Sequence, residues 1–104
     1  MGVPQPMTHE QIAEHLAKLP GWEQDGDKIT RTYEIRYHAA VAAIVTIADR
    51  SRRIHHHADL DLRIDHLRAS ITTHDAGNQI TAADFDLARR IDAIVAAHQS
   101  LPLD

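Results

Sequence analysis

Leu60-Asp61-Leu62-Arg63-Ile64-Asp65, continued by His66-Leu67-Arg68-Ala69-Ser70-Ile71-Thr72-Thr73-His74, alternates apolar and polar residues. Successive side chains on a strand point to opposite faces, so a period of two describes a sheet with one buried and one wet face. The phase slips near Asp65-His66, where Ile64 and Leu67 fall three apart. The stretch therefore reads as two strands with a weak break between them.

Upstream the period changes. From Ala39 to Ile54, Val41, Ile44, Val45, Ile47, Ala48 and Ile54 form a broad apolar stripe among good helix formers, which predicts a helix packed on the sheet. Before it, Ile29, Tyr33, Ile35 and Tyr37 alternate with polar Thr30, Thr32, Glu34 and Arg36. The turn cluster Asp25-Gly26-Asp27 makes this region a hairpin. Thr8-His9-Glu10-Gln11 reads as a capping box that opens a short helix carrying Ile12, Leu16 and Leu19, and Pro20-Gly21 stops it. Downstream, Asp75-Ala76-Gly77-Asn78 is a turn. Thr81 and Asp84 then form a second capping box, and Phe85, Ala88, Ile91 and Val95 share one helical face. The resulting order α-β-β-α-β-β-α predicts a two-layer α+β fold: a four-stranded antiparallel sheet with three helices on one face.

With 104 residues, the chain is expected to form a single domain, 1–104, with a core of about residues 8–98. Its net charge of -4, with acidic and basic residues interspersed, leaves no basic stripe for nucleic-acid backbones, so direct nucleic-acid binding is not expected. Absence of cysteine excludes disulfides, thiolate metal sites and a cysteine nucleophile. The opening Met1–Pro6 has no basic stretch followed by an apolar run, and no segment is long and uncharged enough to span a bilayer. A cytoplasmic protein without membrane contact is expected.

Histidine is the compositional outlier: nine residues, three of them consecutive at His55-His56-His57. Its side chain titrates near neutral pH without help. His56 and His57 leave a helix and His74 ends a strand, so the segments could converge at one sheet edge and move protons in an elimination or dehydration. A solvated helix end with no task is the plain alternative. A metal site built from His55, His57 and His74 with Asp59 or Asp75 is another, less favoured because adjacent histidines rarely share a centre. His9, His15, His38, His66 and His98 read as surface residues. Arg52 and Arg53 read as a solvated end that suits the helix dipole, and Asp84 as a first-turn cap, with a role in positioning histidine or substrate the less favoured reading.

His56-His57-Ala58-Asp59-Leu60, followed by Ile71-Thr72-Thr73-His74-Asp75-Ala76-Gly77, resembles the signature of the pterin-4a-carbinolamine dehydratases. Leu19-Pro20-Gly21-Trp22 and the run Ile80-Thr81, Asp84-Phe85, Leu87-Ala88 and Ile91-Asp92 are similar to the same family, so the likeness runs from about Thr8 to about His98. It implies a lyase, a hydro-lyase that converts 4a-hydroxytetrahydropterin to quinonoid dihydropterin in tetrahydrobiopterin recycling, with no metal and no cofactor. It further implies His56, His57 and His74 as acid/base residues, and His55, Thr72, Thr73 and Asp75 as substrate contacts. The partners it implies are the pterin substrate and further copies of the chain, as homodimer or homotetramer. Arg52 stands where many members have glutamate, Ala58 where they have proline, and Ile64 where an aromatic is frequent. The turn at Gly77-Asn78-Gln79 is one residue longer than usual. Arg52 and Ala58 keep a second reading open: a catalytically weak pterin- or protein-binding module on the same fold.

Overall fold

A computed structural model of the chain describes residues 5–101. The expected domain limits at 1 and 104, and most of the Met1–Pro6 stretch, lie outside the described residues. Helix α1 spans His9–Ala17, strand β1 Glu23–Asp25, β2 Lys28–Glu34, α2 Tyr37–Ile54, β3 Asp59–Leu62, β4 His66–Ile71 and α3 Ala82–Gln99. A short 3-10 turn, His74–Ala76, precedes α3. The order is the α+β order read from the sequence. The four strands form one antiparallel sheet in the order β1-β2-β4-β3.

Register explains why one face is covered. Ile29, Arg31 and Tyr33 pair with Ile71, Ala69 and Leu67, and Leu60 and Leu62 pair with Ala69 and Leu67 from the other side. These positions face inward. Thr30, Thr32, Ser70 and Arg68 alternate onto the opposite, polar face. Ile29, Leu67, Ala69 and Ile71 are fully or almost fully buried, together with Phe85, Leu87, Ala88, Ile91 and Val95 of α3. The apolar stripe expected for α3 is therefore core.

Both capping boxes form. Thr8 Oγ1 accepts from the Gln11 amide while Gln11 Oε1 accepts from the Thr8 amide, and Thr81 and Asp84 repeat the arrangement at α3. α1 ends at Ala17, just short of Pro20-Gly21. Gly21 has φ +92, which favours glycine, and a Cβ there would stand 2.7 Å from the Arg31 guanidinium, which would have to shift.

Three sequence expectations change. Alternation does not continue to Tyr37: β2 stops at Glu34, and Tyr37 opens α2 and is exposed. Ile64 is not an inward strand residue but 81% exposed. It sits in the Arg63–Asp65 turn, closed by a hydrogen bond from the Arg63 amide to the His66 carbonyl, so the chain reverses earlier than the break at Asp65-His66. The buried face of α2 is made of Ala39, Ala40, Ala43, Ile47 and Ser51. Val41 and Val45, counted in the stripe, are exposed instead. Small residues let α2 lie close against α3, and that close approach selects the alanine row over the valine row.

A polar cluster joins the hairpin to α3. Asp92 Oδ1 accepts from Trp22 Nε1 at 2.9 Å, from Arg31 Nη1 at 2.9 Å and from the Tyr33 hydroxyl at 2.5 Å. The Arg31 guanidinium lies 4.6 Å from the centre of the Tyr33 ring, and the Trp22 ring meets that ring edge-on. Burial, and then the hydrogen bond and negative charge of Asp92, push the Tyr33 hydroxyl far above the ordinary tyrosine value. The folded chain therefore keeps this proton at a pH where the unfolded chain releases it. Its contribution to stability is complete below pH 10.0, the ordinary value, and is lost as pH rises beyond it. Urea unfolding between pH 8 and 11 should accordingly show a steepening loss above about pH 10. Tyr33→Phe should be about 1 kcal/mol less stable at neutral pH and show a flatter alkaline slope; an unchanged slope would refute the assignment.

Candidate active site

The exit of α2 decides where the histidines go. His55 caps the helix in the left-handed region, φ 55 and ψ 40. Its amide and that of His56 both reach back to the carbonyl of buried Ser51, the latter at 3.1 Å. This is a helix-ending turn that satisfies an otherwise free carbonyl. It redirects the chain so that the His56 side chain, 13% exposed, meets the start of α3.

There it finds Asp84, which is fully buried. Nε2–H of His56 donates to Asp84 Oδ1 at 2.7 Å. The other oxygen, Oδ2, accepts from the Thr81 amide at 2.8 Å and from the Thr73 hydroxyl at 3.0 Å. Thr73 Oγ1 also lies 2.7 Å from Thr81 Oγ1. Each hydroxyl has one proton, and that of Thr73 goes to the carboxylate, so Thr81 must donate to Thr73. The Thr81 oxygen is left to accept from the Ala83 amide at 3.2 Å. A buried carboxylate is costly unless saturated with donors, and three donors from three segments meet this one.

Thr73 thereby brings the end of the sheet to the same carboxylate as His56. The convergence anticipated between the two histidine segments exists, and Asp84 is its centre. His74 follows Thr73. It does not end a strand: β4 stops at Ile71, Thr73 makes an isolated bridge to Gln79, and His74 opens the 3-10 turn. The His74 ring is exposed, with Nδ1 at 2.7 Å from Asn78 Oδ1. His55, His57 and Asp75 are exposed. Thr72 and Thr73 are buried, and the Thr72 hydroxyl donates to the Asp27 carbonyl at 2.7 Å. Both threonine hydroxyls are thus engaged inside the protein.

Asp84 fills both roles weighed for it. One oxygen caps α3, and the second, in the less favoured reading, holds an imidazole 28 positions away in sequence. The capping motif was the visible signal, and nothing local marks which histidine is the second partner. Arg52 and Arg53, adjacent to the histidines, both bind Asp49, at 2.8 and 2.9 Å. The Arg52 hydrogen bond leads in holding the Asp49 carboxyl below its ordinary value. Among the five histidines read as surface residues, His9 and His38 are exposed, whereas His15, His66 and His98 are half-buried. The His15 ring centre lies 4.9 Å from that of Phe85.

Among the described residues, no three histidine, aspartate or glutamate side chains are grouped to hold a metal ion, and no helix is long and apolar enough to cross a membrane. A surface groove of about 1030 Å³ lies elsewhere, lined by Glu34–Ala39, Ile64, Asp65, Gln99 and Leu101. Its carboxylate Asp65 pairs only with the neighbouring His66, at 2.7 Å on the exposed rim, whereas the His56–Asp84 pair is largely buried and joins two separate elements, so that pair, rather than groove volume, marks the candidate site.

The family described as pterin 4 alpha carbinolamine dehydratase matches residues 5–94. A Streptomyces avermitilis protein, provisionally named a pterin-4-alpha-carbinolamine dehydratase, is 39% identical over 95 residues, covering 90% of this chain and 94% of its own. A Nocardia farcinica protein with the same provisional name is 39% identical over 89 residues, covering 85% and 93%. Among solved structures, a transcriptional coactivator/pterin dehydratase from Brucella melitensis superposes with a TM-score of 0.80. It is 24% identical, over 86% of this chain and 98% of that one, and shares the fold.

Replacing Asp84 by alanine leaves the Thr73 hydroxyl, the Thr81 amide and the His56 ring N–H short of an acceptor. Asp84→Ala should cost about 3 kcal/mol in urea unfolding. A loss no larger than that of an exposed aspartate would show that the network is not structural.

Proposed function

The chain belongs to the pterin-4a-carbinolamine dehydratase family, and from that premise we propose that it removes water from 4a-hydroxytetrahydropterin, giving quinonoid dihydropterin in tetrahydrobiopterin recycling. One domain with a core of about residues 8–98 carries the activity, in the cytoplasm. The observation that supports this best is the buried Asp84 carboxylate holding His56 at 2.7 Å while also holding Thr73, the neighbour of His74.

The reaction needs two proton transfers. One acid protonates the 4a-hydroxyl as its C–O bond breaks and water leaves. One base takes the proton from the adjacent ring nitrogen, and the electrons of that N–H bond close the C=N double bond. His56, His57 and His74 supply these groups. Asp84 orients His56, and an imidazole that takes up a proton there faces a carboxylate, the arrangement that steadies the histidine of a catalytic triad. His55 and Asp75 contact the pterin from the exposed rim. Thr72 and Thr73 form the wall behind it, since their hydroxyls are committed inward. Function as a homodimer or homotetramer is supported by the exposed apolar row Tyr37, Val41 and Val45 on α2.

Dehydration of 4a-hydroxytetrahydropterin, generated in situ by an aromatic amino acid hydroxylase, tests the proposal against the uncatalysed background. The expected result is a rate well above background that drops by a factor on the order of 10² to 10⁴ in His74→Ala and in His56→Ala. A wild-type rate equal to background would reject the dehydratase. Tight pterin binding under those conditions would favour instead the catalytically weak binding module.

A further inference from the structure

We propose that Asn78 is a positioning residue that sets the tautomer of His74, so that Nε2 is the ring nitrogen offered to substrate. This rests on the acid/base reading of His74 given above.

An amide oxygen has lone pairs and no proton, so a ring nitrogen bonded to it must carry the hydrogen. With His74 Nδ1 at 2.7 Å from Asn78 Oδ1, the neutral ring is protonated at Nδ1 and bare at Nε2. His74 is exposed, so little else constrains its ring. A free exposed imidazole divides itself between two tautomers and several rotamers, and only one combination presents a given nitrogen to a given substrate atom. Orienting a histidine through its second nitrogen is how acid/base sites remove that ambiguity.

The backbone around Asn78 is built to hold its side chain in place. Asn78 sits at φ 60, in the left-handed region, next to Gly77 at φ 73. Asparagine is among the few residues with a side chain that adopt this region readily. Its amide donates to the Thr73 carbonyl at 3.1 Å, and the Gly77 amide donates to the His74 carbonyl at 3.0 Å. The turn therefore closes on the residue before His74 and on His74 itself. The Thr73 hydroxyl is meanwhile fixed to buried Asp84. The Asn78 oxygen is thus delivered to His74 by a loop anchored on the same carboxylate that holds His56. The two histidines then differ in the nitrogen they leave free: Nδ1 for His56 and Nε2 for His74. The reverse orientation of the amide would present NH₂ to Nδ1 and move the ring proton to Nε2, an opposite and measurable state.

The test is nitrogen NMR of the histidine rings in ¹⁵N-histidine-labelled protein, above the pH at which the rings titrate, combined with steady-state kinetics. Asn78→Gly keeps the left-handed backbone and removes only the side-chain oxygen, whereas Asn78→Asp returns an oxygen acceptor. Expected are an Nδ1–H tautomer for His74 in the wild type and in Asn78→Asp, and a mixture in Asn78→Gly. kcat of Asn78→Gly should fall on the order of tenfold, short of the loss on removing an acid/base group altogether, with KM little changed. An Nε2–H tautomer in the wild type, or an unaltered tautomer in Asn78→Gly, would overturn the proposal. Because the NMR measurement needs no substrate, a wild type with the Nδ1–H tautomer but no turnover would sink the acid/base reading while leaving the control of the ring by Asn78 in place.

Discussion

A carboxylate withdrawn completely from water has to be given its hydrogen bonds by the protein, and Asp84 draws three parts of the chain together for that reason. It stands in the first turn of α3, where free amides and the positive end of the helix dipole favour an anion. The helix start, the sheet end at Thr73 and the helix exit at His56 are fixed relative to one another by its two oxygens. Remove the charge, and the backbone pairing of Asp59 with Ser70 still joins the two histidine segments, but the side-chain tie that fixes His56 against Thr73 is gone. Fold and site are therefore not separable here: the group that begins the last helix also aims the catalytic candidate.

A second acidic residue on the same helix acts at the other side of the core. Asp92 follows Asp84 by eight residues, about two turns, and gathers Trp22, Arg31 and Tyr33 as Asp84 gathers His56 and Thr73. Between them lie Phe85, Ala88 and Ile91, which are apolar and buried. Apolar contact alone tolerates sliding, since one methyl group packs much like another. A polar pin at either side of the stripe has one partner geometry, and the pair sets how α3 lies on the sheet.

Much of this was legible in the chain itself. Both capping boxes, the two-residue period of Leu67, Ala69 and Ile71, and the helical spacing of Phe85, Ala88, Ile91 and Val95 are local patterns, and local physics sufficed to read them. Where reading failed, tertiary structure had chosen between locally equivalent options. Hydrophobicity favoured the valines of α2, but close helix packing selected the alanines. Alternation carried Ile64 into a strand, whereas the hairpin needed its turn there. Asp84 had the right position for a cap, and the weighing of that role against a hold on histidine was decided by the three-dimensional path of α2, which brings His56 to it. The histidines stood out by their chemistry and family likeness; which ring nitrogen each leaves free is a matter of hydrogen bonds that the chain alone does not display.

That difference has a consequence for how the run His55-His56-His57 can drift over evolutionary time. The three are identical in letter but answer to separate demands. Position 55 is filled by a residue that tolerates a left-handed backbone, a demand that glycine or asparagine also meets, whatever the rim asks of its side chain. Position 56 is tied to a buried anion, and few side chains other than imidazole could both reach Asp84 and leave a second nitrogen outside. Position 57 faces solvent, where selection acts only through what the site asks of it. A triplet that resembles a tag is thus three independent sites of constraint, and relatives should keep its middle letter when they lose its first.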